Sequence, residues 1–122
     1  MVTGFIDDAG HPKVELTVVG KRGEITLIPT IDTGFDGQLC LPTEVAIQLG
    51  LELIGRLFIE LADGTRQRSL VFSGLVKIGA TQEEVDIILT EADDALVGTG
   101  LLQGRVVTLD FQRKRVEISE KG

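Results

Sequence analysis

Residues Ile25–Gly37 read ITLIPTIDTGFDG. Ile25, Leu27 and Ile31 fall on one face of a strand, the period-2 pattern of a half-buried β-segment. Pro29 cannot donate a ladder hydrogen bond, so the strand is predicted to be bulged or partly unpaired there. The run then ends in a carboxylate, Asp32, followed by Thr33, Gly34 and a turn. Burying an acid at the inner end of a strand is costly unless it is paired or shares a proton. Asp32 is therefore either a plain turn residue or a group placed for chemistry. The tripeptide alone decides little, since chance puts Asp-Thr-Gly in about a few per cent of chains this long. Asp and Gly are turn formers, and Thr is compatible with a strand. The setting has to decide.

On both sides of this stretch the chain reads as short strands punctuated by turns. Val14, Leu16 and Val18 alternate with Glu15 and Thr17, and GKRGE turns the chain before Ile25. GQLCLP is another short strand. PTEVAIQLGL is the one good helix candidate: Pro42 and Thr43 suit its start, Glu44 the positive end of its dipole, and Gly50 its stop. Val45, Ala46 and Leu49 form its apolar stripe, and it is too short to stand without packing on a sheet. RLFIELADGTRQRSLVFSGLVKIG has two strand-like arms around ADGT, a strong hairpin signal. EEVDIILTEA follows as a strand, then ALVGTGLLQG, an apolar run broken by Gly98 and Gly100. RVVTLDFQRKRVEIS closes the chain as a hairpin, with Val107, Leu109 and Phe111 facing one way and QRKR as a solvated turn. About eight or nine strands and one helix predict a small closed or sandwiched β-fold.

The chain has 122 residues, 43% of them hydrophobic. That fits a single domain over 1–122 with a real core. A formal charge of −7 argues against nucleic acid and against an anionic membrane surface as partners. No apolar run approaches the length that spans a bilayer. MVTGFIDDAG lacks a basic region and an apolar core, so no signal peptide is expected and the cytoplasm is the predicted location. Cys40 is the only cysteine; it excludes an intramolecular disulfide and reads as a small buried hydrophobe. His11, the only histidine, lies in a turn-like DAGHPK. With no Cys/His cluster, no metal site is predicted, and nothing in the sequence calls for a cofactor. A Ser-His-Asp or Cys-His arrangement would have to use His11, which nothing brings near a nucleophile.

Together, IDTGFDG, the ADGT hairpin and ALVGTGLL resemble the retropepsin-like aspartic proteases, in the cellular DTGF form, over roughly Val14–Ile118. The resemblance implies an all-β, closed acid-protease barrel with one short helix and half an active site per subunit. It makes Asp32 the catalytic carboxylate. Thr33 would reach across a subunit boundary to brace the partner's loop, and Gly34 would admit the substrate backbone. Phe35, Asp36 and Gly37 would border the peptide cleft. Ala62, Asp63, Gly64 and Thr65 would form the tip of a flap. Leu96, Val97 and Gly98 would pack beneath the active-site loop as the second signature. Two departures stand out. Thr99 follows Gly98 where retroviral members often carry an arginine that pairs with the acid matching Asp36, so Asp36 either finds Arg105 or stays solvated. Phe35 replaces a small residue, and it points either into the cleft or into the core.

Only one Asp-Thr-Gly occurs; the acids around Asp7 and Asp93 lack the strand and glycine setting. One carboxylate can take a proton from water while a second, protonated, polarises the scissile carbonyl. The resemblance therefore implies a two-fold homodimer that supplies the second Asp32. An extended peptide or unfolded protein would lie between dimer floor and flaps by strand addition. MVTGFI and RVEIS could tie the subunits together or pair within one chain. The leading expectation is an aspartic endopeptidase. The alternatives are a non-catalytic peptide- or protein-binding module on the same fold, and a structural β-domain in which Asp32 only turns the chain.

Overall fold

The computed structural model describes residues 1–60 and 62–121. The chain runs through β1 (Val2–Ile6), β2 (Pro12–Lys13), β3 (Leu16–Gly20), β4 (Gly23–Leu27), β5 (Thr30–Ile31) and β6 (Leu39–Pro42) to the helix α1 (Thr43–Leu49). Then come β7 (Glu52–Glu60), β8 (Arg66–Ile78), β9 (Thr81–Thr90), β10 (Leu96–Val97), a helical turn α2 (Thr99–Leu102), β11 (Val107–Asp110) and β12 (Arg115–Ile118). The all-β expectation holds. The strand count exceeds the expected eight or nine because β2, β5 and β10 are two-residue pairings too short to show as periodicity.

The strands follow one path, β11-β12-β1-β2-β5-β10-β6-β9-β8-β3-β4, with β7 paired to β8. The path does not close, which corrects the expected closed barrel: among the described residues β4 and β11 end it without pairing each other. Pro29 has no N–H to donate, and β4 stops at Leu27, two residues before it. The chain resumes as β5, paired with β2 and β10. Lys13 opposite Thr30 keeps the register of Leu16 opposite Leu27, and Val14 N–H donates to the Pro29 carbonyl at 3.2 Å. The strand is thus interrupted and partly unpaired at Pro29, as expected.

The alternating apolar residues meet inside the folded-over sheet. Val14, Val18, Leu39, Leu41, Ile87 and Val97 are completely buried. β1 pairs with β12 within the chain, Val2 opposite Ile118 and Phe5 opposite Arg115. The terminal strands are therefore used internally. Phe111 departs from its expected inward position: it lies in the β11–β12 turn, 60% exposed. No helix among the described residues is long and apolar enough to cross a membrane.

α1 buries Ala46 and Leu49 as its stripe predicts. Thr43 does not cap it; its hydroxyl donates to the Thr90 carbonyl at 3.3 Å and to Glu91 Oε1 at 3.2 Å, fastening the helix start to the end of β9. Gly50 ends the helix at φ 64°, its N–H donating to the carbonyls of Ala46 and Ile47. A side chain there would enter the left-handed region. Gly50→Ala is expected to lose about 1–2 kcal/mol, read as a lower urea midpoint with an unchanged slope.

Candidate active site

β10 is the centre of the site. It runs parallel to β5, with Val97 opposite Ile31, and antiparallel to β6, with Val97 opposite Leu39. The loop 32–38 leaves β5 and enters β6, so it must wrap around the residues that follow β10. Backbone hydrogen bonds pin it on that path. Asp32 N–H donates to the Val97 carbonyl (2.9 Å), Gly98 N–H to Gln38 (3.1 Å), Thr99 N–H to Phe35 (2.8 Å) and Gly100 N–H to Gly37 (3.0 Å). α2 buries Leu101 and Leu102 below it.

The loop tightens at its start. Phe35 N–H donates to the Asp32 carbonyl (3.1 Å), and Gly34 N–H donates to Asp32 Oδ1 (2.9 Å). β5 ends with Ile31 buried; Asp32 itself is half-buried at the lip, and Thr33 and Gly34 are exposed beside it. The carboxylate thus stays in reach of solvent in the single chain, and the desolvation cost posed by the sequence is only partly incurred.

Leu96, Val97 and Gly98 lie beneath the loop, with Val97 and Gly98 buried. Phe35 serves both of its anticipated orientations. Its ring covers Gly37 and Gly98 so closely that a Cβ at either glycine would come within 2.5 Å and 2.6 Å of ring carbons. The half-buried ring also borders the groove above the loop. Asp36 is exposed and forms no ion pair among the described residues. Arg105 does not reach it. That guanidinium donates through Nη1 to the Ser119 carbonyl (3.3 Å), and its Nε and Nη2 are buried without partners. Thr99 instead ties the loop down within the chain, its N–H and its hydroxyl (3.4 Å) both directed at the Phe35 carbonyl. Cys40 is buried in β6, and burial pushes its thiol above the usual range.

Over the loop stands the predicted hairpin. Residues 66–73 of β8 pair with β7, while β9 joins only from Phe72 onward. The outer part is thus a two-stranded arm that leaves the sheet. At its tip Asp63 Oδ1 accepts from Thr65 N–H (2.9 Å) and from the Thr65 hydroxyl (2.6 Å), and Gly64 sits at φ 87°. The Thr65 hydroxyl, and then its N–H, hold Asp63 below the usual carboxylate range. Ala62 completes the exposed tip; Leu61, on the way to it, lies outside the described residues.

Two grooves flank Asp32. One of about 740 Å³ lies between the loop and the hairpin, lined by Gly34, Phe35, Asp36, Gly37, Leu57, Phe58, Glu60 and Ile88. The other, about 480 Å³, is lined by Asp32 and Thr33 together with His11, Asp94, Leu96 and Leu109 among others. On sequence alone His11 reads as a loop residue remote from the site. The β1–β2 pairing returns its loop to the site, and no local pattern signals that. Among the described residues no three His, Cys, Asp or Glu side chains are grouped to hold a metal ion.

No protein-family model matches the sequence, and no curated protein matches it. Solved structures do. A retropepsin-like aspartic protease from Rickettsia conorii is similar over 94% of this chain and 86% of its own, with TM-score 0.65 and 18% identity. The retroviral protease-like domain of Ddi1 from Leishmania major is similar over 88% and 89%, with TM-score 0.54 and 14% identity. The Simian Foamy Virus (mac) protease is similar over 72% and 90%, with TM-score 0.52 and 17% identity. The chain has a retropepsin-like fold.

Proposed function

We propose that this protein is an aspartic endopeptidase whose active site forms when two copies meet about a two-fold axis, each contributing Asp32. The observation that carries the reading is the placement of Asp32. It is the acid of the only Asp-Thr-Gly in the chain, half-buried at the lip of the pinned loop between two grooves. Gly34 N–H engages its Oδ1. That contact orients the carboxyl and leaves Oδ2 for substrate, water or a second carboxyl.

The chemistry follows from what an amide requires. Its carbonyl is a weak electrophile and water a weak nucleophile. Two carboxyls about 3 Å apart share a single proton, since both cannot readily ionise; this is the established chemistry of aspartic proteases. The ionised member takes a proton from water as the oxygen attacks the carbonyl carbon. The protonated member donates to the carbonyl oxygen, and a tetrahedral diol forms. Collapse breaks the C–N bond, with one proton passing to the leaving nitrogen and one returning to the pair. Thr33, exposed next to Asp32, is the residue proposed to reach the partner's loop. The hairpin tip at Ala62–Thr65 is proposed to close over the bound peptide and exclude bulk water. The peptide would lie extended along the groove, paired through its main chain.

The two-copy requirement has a direct test. Cleavage of an unfolded protein is expected to rise more than linearly with enzyme concentration until dimers saturate. Over the same range sedimentation equilibrium should show the average mass rising toward twice the chain mass. A strict monomer at high micromolar concentration that still cleaves would remove the shared site.

A further inference from the structure

The groove between the loop and the hairpin has a chemical character that points to one kind of side chain. Its apolar walls come from Phe35, Leu57, Phe58 and Ile88. Among the described residues its charged lining groups are Asp36 on the loop side and Glu60 on the hairpin side, both exposed, and no basic residue lines it. Neither carboxylate forms an ion pair among the described residues. Arg66 stands opposite Glu60 in the β7–β8 ladder, yet it makes no such pair and does not line the groove. We infer that this groove selects a lysine or arginine side chain of an extended peptide. The methylene stem would lie against the apolar wall and the cationic head would meet Asp36 and Glu60. Long basic side chains have this divided character, with an apolar stem below a charged head. Phe35 and Phe58 add ring faces that attract a cation.

The inference rests on the peptide-binding part of the proposed function and not on bond cleavage, so it is tested on a protein that does not turn substrate over. Fluorescein-labelled short peptides, identical except for lysine or norleucine at each position in turn, are titrated into Asp32→Asn protein and followed by anisotropy. At one position lysine is expected to bind about tenfold tighter than norleucine, because charge-assisted contacts to two solvent-exposed carboxylates are each of modest strength. Asp36→Asn and Glu60→Gln, each on the same background, should reduce that ratio to about threefold, and salt should reduce it in the parent. Equal binding of all pairs overturns the inference, as does no binding at millimolar peptide or a lysine preference untouched by both substitutions. A lowered sedimentation mass in Asp36→Asn or Glu60→Gln also overturns it, since a second copy of the chain would then occupy the groove. Selective binding beside a wild type that never cleaves would sink the protease reading and leave this one standing.

Discussion

Asp32→Asn protein is expected to fold, to dimerise and to lose cleavage of unfolded protein by about 10³-fold or more, the scale of removing general acid and base together. The substitution is nearly isosteric. The new side-chain amide would keep a carbonyl oxygen for the Gly34 N–H that now donates to Oδ1 at 2.9 Å. The backbone N–H at this position would still donate to the Val97 carbonyl. The loop therefore has no reason to move, and the melting temperature should stay within a few degrees of wild type. What disappears is the ability to accept a proton from water. In the variant homodimer both members of the pair are lost at once. A heterodimer with a wild-type subunit keeps one carboxyl, which cannot act as base and acid together, so mixing the two should yield heterodimers with little activity. Initial rates at pH 4 to 6, about the range in which a shared-proton pair works, with masses measured in parallel, give the result. Cleavage that persists undiminished in the variant would exclude Asp32 from the mechanism.

The features legible in the sequence are those fixed by neighbours along the chain. Asp63-Gly64 announces the hairpin because the turn needs a residue at positive φ, and Gly64 supplies φ 87°. Gly50 ends α1 for a related reason. Asp32-Thr33-Gly34 is recognisable because strand, acid, hydroxyl and glycine fall in one short run. The features that escape a sequence reading are set by partners distant along the chain. β10 is only Leu96–Val97, and its position between β5 and β6 follows from pairings with both, which no periodicity encodes. α2 reads as a broken apolar run because Gly100 interrupts it, but the loop carbonyls of Phe35 and Gly37 receive its N–H groups and hold the turn in place. Charge alone suggests Arg105 as the partner of Asp36; the guanidinium lies instead against Ser119, where β12 ends. The break between β4 and β5 at Pro29 is visible in the sequence as a missing donor; that β4 and β11 end the path without pairing each other, among the described residues, is not.

Gly98→Ala should be the most damaging methyl in the active-site loop and its support, costing about 3 kcal/mol, the upper part of the usual range for overpacking. Backbone conformation is not the cause, since Gly98 has φ −97° and ψ 174°, which any residue adopts. Space is. An added Cβ would stand 2.2 Å from the Gly37 carbonyl oxygen, 2.6 Å from the Phe35 carbonyl oxygen and 2.6 Å from Phe35 Cδ2. The ring could turn aside, but the two oxygens are backbone atoms of the active-site loop. They already accept the N–H groups of Gly100 and Thr99. Relief requires the loop to lift off α2 and stretch those bonds, each worth about 1 kcal/mol net. The same movement carries Asp32 and Gly34 out of register with β10, so activity should fall further than the folded fraction alone explains. Gly55→Ala is the matched control: nothing lies within 4 Å of its Cβ, and its φ is not in the left-handed range. It should change stability by less than about 0.5 kcal/mol. Urea unfolding of both variants, with cleavage measured well below each midpoint, separates the two effects. A Gly98→Ala protein as stable as Gly55→Ala would mean that the loop does not rest on the residues after β10, and the bracing described for Asp32 would have to be abandoned.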